Sequence, residues 1–153
     1  MVLNRIKNSV SNDPNVAVYV DGPNVVRKEF DLDLDNLREK VEEYGNIKTG
    51  KVFVNQHASS KLIEAIASQG FEAAQGIGEK AKESDVDVYM AVNAMESVFN
   101  DEIDVLDLVT RDMDFLPVIQ KAKEHGMETV IVGMDPGFST ALKNAADEVV
   151  TLN

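Results

Sequence analysis

The chain has 153 residues, 44% of them apolar, no cysteine and two histidines, and its 15 basic against 27 acidic residues leave a net charge of −12. That length favours one domain over residues 1–153, with a polar extension at 1–14, and the missing cysteine excludes disulfides, zinc–thiolate centres and thiol catalysis. No apolar run approaches the roughly 20 residues of a membrane span, and so acidic a balance speaks against a broad basic face for nucleic acid, although a metal ion can still bring a phosphate to an acidic site.

Met1 to Pro14 lacks the apolar centre of a signal peptide, so the expected compartment is the cytoplasm. The first strand is expected at Val16–Val20, ending at Asp21 and followed by the turn residues Gly22-Pro23-Asn24. A helix or turn near Val25–Phe30 and an acidic amphipathic helix at Leu34–Glu43 follow. Next come a strand at Lys51–Asn55, a helix at Ser59–Gln69 stopped by Gly70, and a short strand near Phe71–Ala74. Gly76–Ser84 reads as a polar loop, too short for a dinucleotide fingerprint, and Asp85–Phe99 as a strong helix. The next strand, Ile103–Thr110, is interrupted by Asp104 and Asp107. A helix at Phe115–Glu124, a strand at Thr129–Gly133, a helix at Ser139–Ala146 and an edge strand at Val149–Leu152 complete the chain. Strands alternating with helices define a three-layer α/β/α sandwich with a mainly parallel sheet. Such sheets bind ligands beyond the carboxyl ends of their strands.

Three constellations fall there. Asp21 leaves the first strand and Asn24 returns from the turn, although both residue types also cap helices. Thr110-Arg111-Asp112-Met113-Asp114 carries two acids at i and i+2. Asp114 doubles as an N-cap before Phe115-Leu116-Pro117, whereas nothing local requires Asp112. On the Asp85–Phe99 helix the inward stripe is Met90, Ala91, Ala94, Met95 and Val98. Asp87 lies one turn earlier on that stripe, where a carboxylate needs a cation or a capping role with Ser84. Adjacent strands lie about 4.8 Å apart, so acids after neighbouring strands repel unless an ion joins them. With two histidines, His57 and His125, and no thiol, that ion is a hard one, Mg2+ or Mn2+. Lys80, Lys82, Arg27, Lys28 and Arg111 rim the crevice as possible phosphate contacts, and Ser139 is expected to cap its helix.

Val20-Asp21-Gly22-Pro23-Asn24, Asp85-Val86-Asp87-Val88 with Ala91-Val92-Asn93, and Thr110-Arg111-Asp112-Met113-Asp114-Phe115-Leu116-Pro117 together resemble the three motifs of NYN domains, members of the PIN-like nuclease superfamily, with the LabA-like proteins most alike. The resemblance runs from about Asn15 to Leu152 and implies a parallel sheet of order 3-2-1-4-5 and a Mg2+- or Mn2+-dependent ribonuclease. Carried over by motif, Asp21, Asp87 and Asp112 form the metal-binding acidic core, Asp114 is a fourth catalytic acid and Asn24 orients the first motif; from its place at the rim, Lys82 or Arg111 would contact a flanking phosphate of RNA. The chain departs from the pattern at Thr110-Arg111 (Ser-Gly in relatives), at Ser84-Asp85 (Lys-Gly) and at Asn93 (an acid), which bears on substrate and activity more than on fold. The alternative function is a non-catalytic RNA-binding or regulatory module. A haloacid-dehalogenase-like phosphatase would want Asp-x-Asp after strand one, and a Toprim-like domain a Glu there; this chain has neither. A homodimer is compatible with the sequence but has no signature in it.

Overall fold

A computed structural model describes residues 13–26, 33–76 and 83–153, with side chains in the last segment described from Val86. In chain order the elements are β1 (Asn15–Asp21), α1 (Gly22–Val25), α2 (Leu34–Glu42), β2 (Asn46–Val54), α3 (Ser60–Ser68), β3 (Glu72–Gln75), α4 (Glu83–Val98), β4 (Val105–Val109), a 3-10 turn (Met113–Phe115), α5 (Leu116–Glu124), β5 (Glu128–Gly133), α6 (Thr140–Ala145) and β6 (Glu148–Thr151). Among the described residues the sheet has six strands in the order β3-β2-β1-β4-β5-β6, and every pairing is parallel. The expected order is therefore present, with β6 added beyond β5. No helix among the described residues is long and apolar enough to cross a membrane.

Alternation along the strands sorts the core into two layers. Ala17, Tyr19, Phe53, Leu106, Leu108 and Ile131 pack with Val86, Met90 and Ala94 of α4 and Ile119 of α5. Val16, Val18, Val20, Val52, Val130 and Val132 pack on the opposite face with Leu37, Val41 and Ile66 of α2 and α3. Because side chains alternate with period two, Asp21 continues the row of Ala17 and Tyr19, and Thr110 continues that of Leu106 and Leu108. Both therefore face α4.

Three details differ from the sequence reading. β2 begins at Asn46, five residues before Lys51. Its first half is polar and half-exposed and is held by backbone pairing, starting with Asn46 N–H on the carbonyl of Pro14 at 2.8 Å. The buried side of α4 includes Val86, Asn93 and Ser97 beside Met90, Ala94 and Val98, while Ala91 and Met95 are only partly covered. Burying the two polar residues is tolerable because both find partners: Asn93 accepts from Lys51 Nζ at 3.0 Å and donates to the carbonyl of Tyr89 at 3.0 Å, and Ser97 shares a short hydrogen bond with the Tyr19 hydroxyl. A short helix at Gly22–Val25 overlaps the start of the helix or turn expected at Val25–Phe30, whose residues 27–30 lie outside the described set.

Asp107 is the anomaly of the sheet. It is fully buried between Val18 and Val130, and neither carboxylate oxygen has a hydrogen-bond partner. Burial alone pushes its carboxyl well above the ordinary carboxylate range, toward the neutral acid.

Candidate metal centre

β1 and β4 are adjacent in the sheet, with Val20 paired to Val109. Their carboxyl ends release Asp21 and Thr110 side by side, and the start of α4 closes the same space with Asp87. One carboxylate oxygen each from Asp21, Asp87 and Asp112 lies within 4.8 Å of the others. Asp21 is 1% exposed, whereas Asp87 and Asp112 are half-buried. Asp21 occupies the N-cap position of α1, yet its side chain makes no capping hydrogen bond. Capping therefore accounts for little of its placement, although the Asn24 backbone N–H favours its charged form.

Thr110 joins the two strands chemically. Its hydroxyl donates to Asp21 Oδ2 at 2.9 Å and accepts the Asp112 backbone N–H at 3.1 Å. Asn24 performs the parallel task for the loops, since its Oδ1 accepts the Arg111 backbone N–H at 2.7 Å. The Arg111 guanidinium in turn bonds the carbonyl oxygens of Asn24 at 3.1 Å and Pro136 at 2.7 Å, tying three loops together at the sheet edge. Gly22 permits this closeness, for a Cβ there would sit 2.1 Å from the carbonyl oxygen of Phe53 at the end of β2.

Electrostatics make the arrangement unfavourable as bare acid. Burial, then the neighbouring Asp87 charge and to a lesser extent Asp112, raise the Asp21 carboxyl to about 7, with the Thr110 hydrogen bond acting in the opposite direction. Asp21 Oδ1 is buried and has no hydrogen-bond partner. Three converging carboxylates, one of them with an orphaned oxygen, match the donor set of a hard divalent cation. Oxygens within 4.8 Å of one another could share such an ion directly or through intervening waters.

The remaining sequence candidates sort unevenly. Asp114 is exposed on the 3-10 turn and does not join the three-carboxylate group. It is Asp112, not Asp114, that caps this turn, accepting the Asp114 N–H at 2.9 Å. The expectation that nothing local requires Asp112 is thereby corrected, because the same carboxylate has a capping oxygen as well as a place in the cluster. Asn93, where the motif has an acid elsewhere, is engaged by Lys51 and Tyr89. Ser139 caps α6 as expected, accepting from the Leu142 N–H at 3.3 Å. Lys80, Lys82, Arg27 and Lys28 lie outside the described residues, and the side chain of Ser84 is likewise not described. Thr110 is the participant that residue-type reasoning passed over. Strand alternation from Leu106 and Leu108 was the signal that would have found it.

A six-stranded parallel sheet with three carboxylates gathered at its carboxyl edge is an architecture of nuclease type, and the family comparison agrees with it. The NYN domain model matches residues 15–153, and the chain belongs to this family within the PIN-like nuclease superfamily. Among individual proteins, it is 53% identical over 137 residues to the uncharacterized protein MJ0482 of Methanocaldococcus jannaschii; the match covers 90% of this chain but only 55% of that protein's length. A protein of unknown function from Vibrio parahaemolyticus, VPA0982, has the same fold, with a TM-score of 0.79 at 18% identity and 92% and 94% of the two chains covered.

Proposed function

We propose that this protein is a divalent-metal-dependent ribonuclease that hydrolyses RNA phosphodiester bonds at the edge formed by β1, β4 and the start of α4. The observation that carries the reading is the convergence of Asp21, Asp87 and Asp112 around an orphaned buried oxygen, in a chain of a nuclease family. These three residues are the proposed ligands of Mg2+ or Mn2+. When bound, the ion would supply Lewis acidity at the phosphate and lower the pKa of a bound water. A bound cation would relieve the repulsion that Asp87 and Asp112 impose on the Asp21 carboxylate. Thr110 fixes the Asp21 carboxylate and the backbone leading to Asp112 with one hydroxyl. Asn24 and Arg111 hold the two motif loops in register through backbone groups. Asp114, exposed beside them, is proposed as a fourth acid acting through solvent. The phosphate contacts proposed for RNA are Arg111 and Lys82. The cytoplasm is the proposed compartment.

Cleavage of a mixed-sequence RNA in Mn2+ by the wild type and by Asp21→Asn tests the reading. Metal-dependent cleavage by the wild type, lost in the variant, is expected. Equal activity in both proteins removes Asp21 from the chemistry. RNA binding without turnover across a full Mn2+ titration would instead make the protein a binding module that keeps the fold.

A further inference from the structure

Beside the carboxylates, at the ends of β1 and β2, lies an open cleft of about 210 Å3 lined by Gly22, Pro23, Val26, Val54, Asn55, His57, Ala58 and Leu62. Its chemistry contrasts with the rest of this acidic chain. None of the eight lining residues is an acid, a lysine or an arginine, although 27% of the chain is charged. The cleft's walls are apolar, from Pro23, Val26, Val54, Ala58 and Leu62, and its polar groups are the exposed side chains of Asn55 and His57. The Asn55 amide is held in place because its Oδ1 accepts the His57 backbone N–H at 2.8 Å. Its NH2 group and the second lone pair of Oδ1 remain to meet a donor–acceptor edge. The volume is below the roughly 300–1,000 Å3 of pockets that enclose whole small ligands, and suits one flat ring system. Gly22 and Pro23 follow Asp21 directly and line the cleft, so the cleft and the carboxylates are the two sides of one turn.

We propose that this cleft seats one nucleobase of the RNA strand whose phosphate lies at the carboxylates. The proposal rests on the ribonuclease reading for the identity of the ligand. Apolar walls and an imidazole face offer stacking surfaces, and an amide reads a base edge that is free only when the base is out of a duplex. Base burial between these walls also adds affinity to the phosphate contacts of a chain whose net charge is −12.

Methyl NMR of the full chain, titrated with adenosine, cytidine, guanosine and uridine in chelator, tests this without any cleavage step. At least one nucleoside should shift the methyl signals of Ala58 and Leu62, and Asn55→Ala, at an exposed position, should weaken that binding about tenfold. Leu62→Trp, which fills the cleft and leaves Ala58 as the reporting methyl, should abolish the Ala58 shift. The proposal is overturned if no nucleoside moves these methyls, or if inorganic phosphate moves them equally, and either result leaves RNA cleavage as a separate finding. Nucleoside shifts in a protein that cleaves no RNA would keep the base cleft and remove the hydrolytic reading.

Discussion

Replacing Asp21 by Asn should make the metal-free protein more stable, and only toward neutral pH. Asp21 titrates at about 7 in the folded chain and near 3.9 in the unfolded one. Its folded value is raised, so its favourable contribution is fully present below about pH 4 and is lost as the pH rises to 7. At about 1.4 kcal/mol per pH decade, forcing this carboxylate to ionise beside Asp87 removes at most roughly 4 kcal/mol. Asparagine avoids that loss. Its oxygen can keep the Thr110 hydrogen bond, and its NH2 group stands where Oδ1 has no partner. In a chain of this size the full effect corresponds to a rise in Tm of roughly 10 °C. Thermal and urea denaturation in chelator at several pH values from 4.5 to 8 measures it. The variant should match the wild type at the acid end and surpass it progressively up to pH 8, with Mn2+ then stabilising the wild type alone. A difference that does not vary with pH, or a less stable variant at pH 8, would refute the electrostatic reasoning.

Thr110→Val keeps the shape but removes the hydroxyl that serves Asp21 and the Asp112 N–H; a loss of about 1–3 kcal/mol in denaturation is expected, together with weaker Mn2+ stabilisation. Gly22→Ala places a methyl 2.1 Å from the Phe53 carbonyl, and urea titration should show a loss of about 1–3 kcal/mol or more. Asp107→Val should stabilise the protein by about 1–3 kcal/mol at pH 7. The folded pKa of Asp107 is raised, so its contribution falls as pH climbs from the unfolded carboxylate value, and the advantage of valine should shrink toward pH 4. The same denaturation series run from pH 4 to pH 8 reads that slope.

What the sequence made legible is what period and position control. The β-branched run Val16–Val20 predicts the strand that delivers Asp21, and the helical phase of Asp87 against Met90 places it on the side of α4 that faces Asp21 and Asp112. The strand order 3-2-1-4-5 came from the family resemblance, and the structure contains it. What stayed hidden depends on contacts made across the fold. The first half of β2 is polar, and its pairing with β1 holds it in the sheet. Asn93 and Ser97 turn inward because Lys51 and Tyr19 wait there as partners. Arg111, a proposed phosphate contact, also places two guanidinium nitrogens on carbonyls of loops distant in sequence, ties that only the fold reveals. The bond from Thr110 to Asp21 exists only once β1 and β4 lie side by side.

The central claim is that Asp21, Asp87 and Asp112 form one metal site. Anomalous diffraction from crystals of the wild-type protein soaked in Mn2+ tests it most directly. The account predicts a manganese peak bonded to Asp21 and Asp112, with Asp87 bonded to the same ion, to a second one beside it, or through water. Manganese bound elsewhere while these three carboxylates stay metal-free at saturating concentration would contradict it.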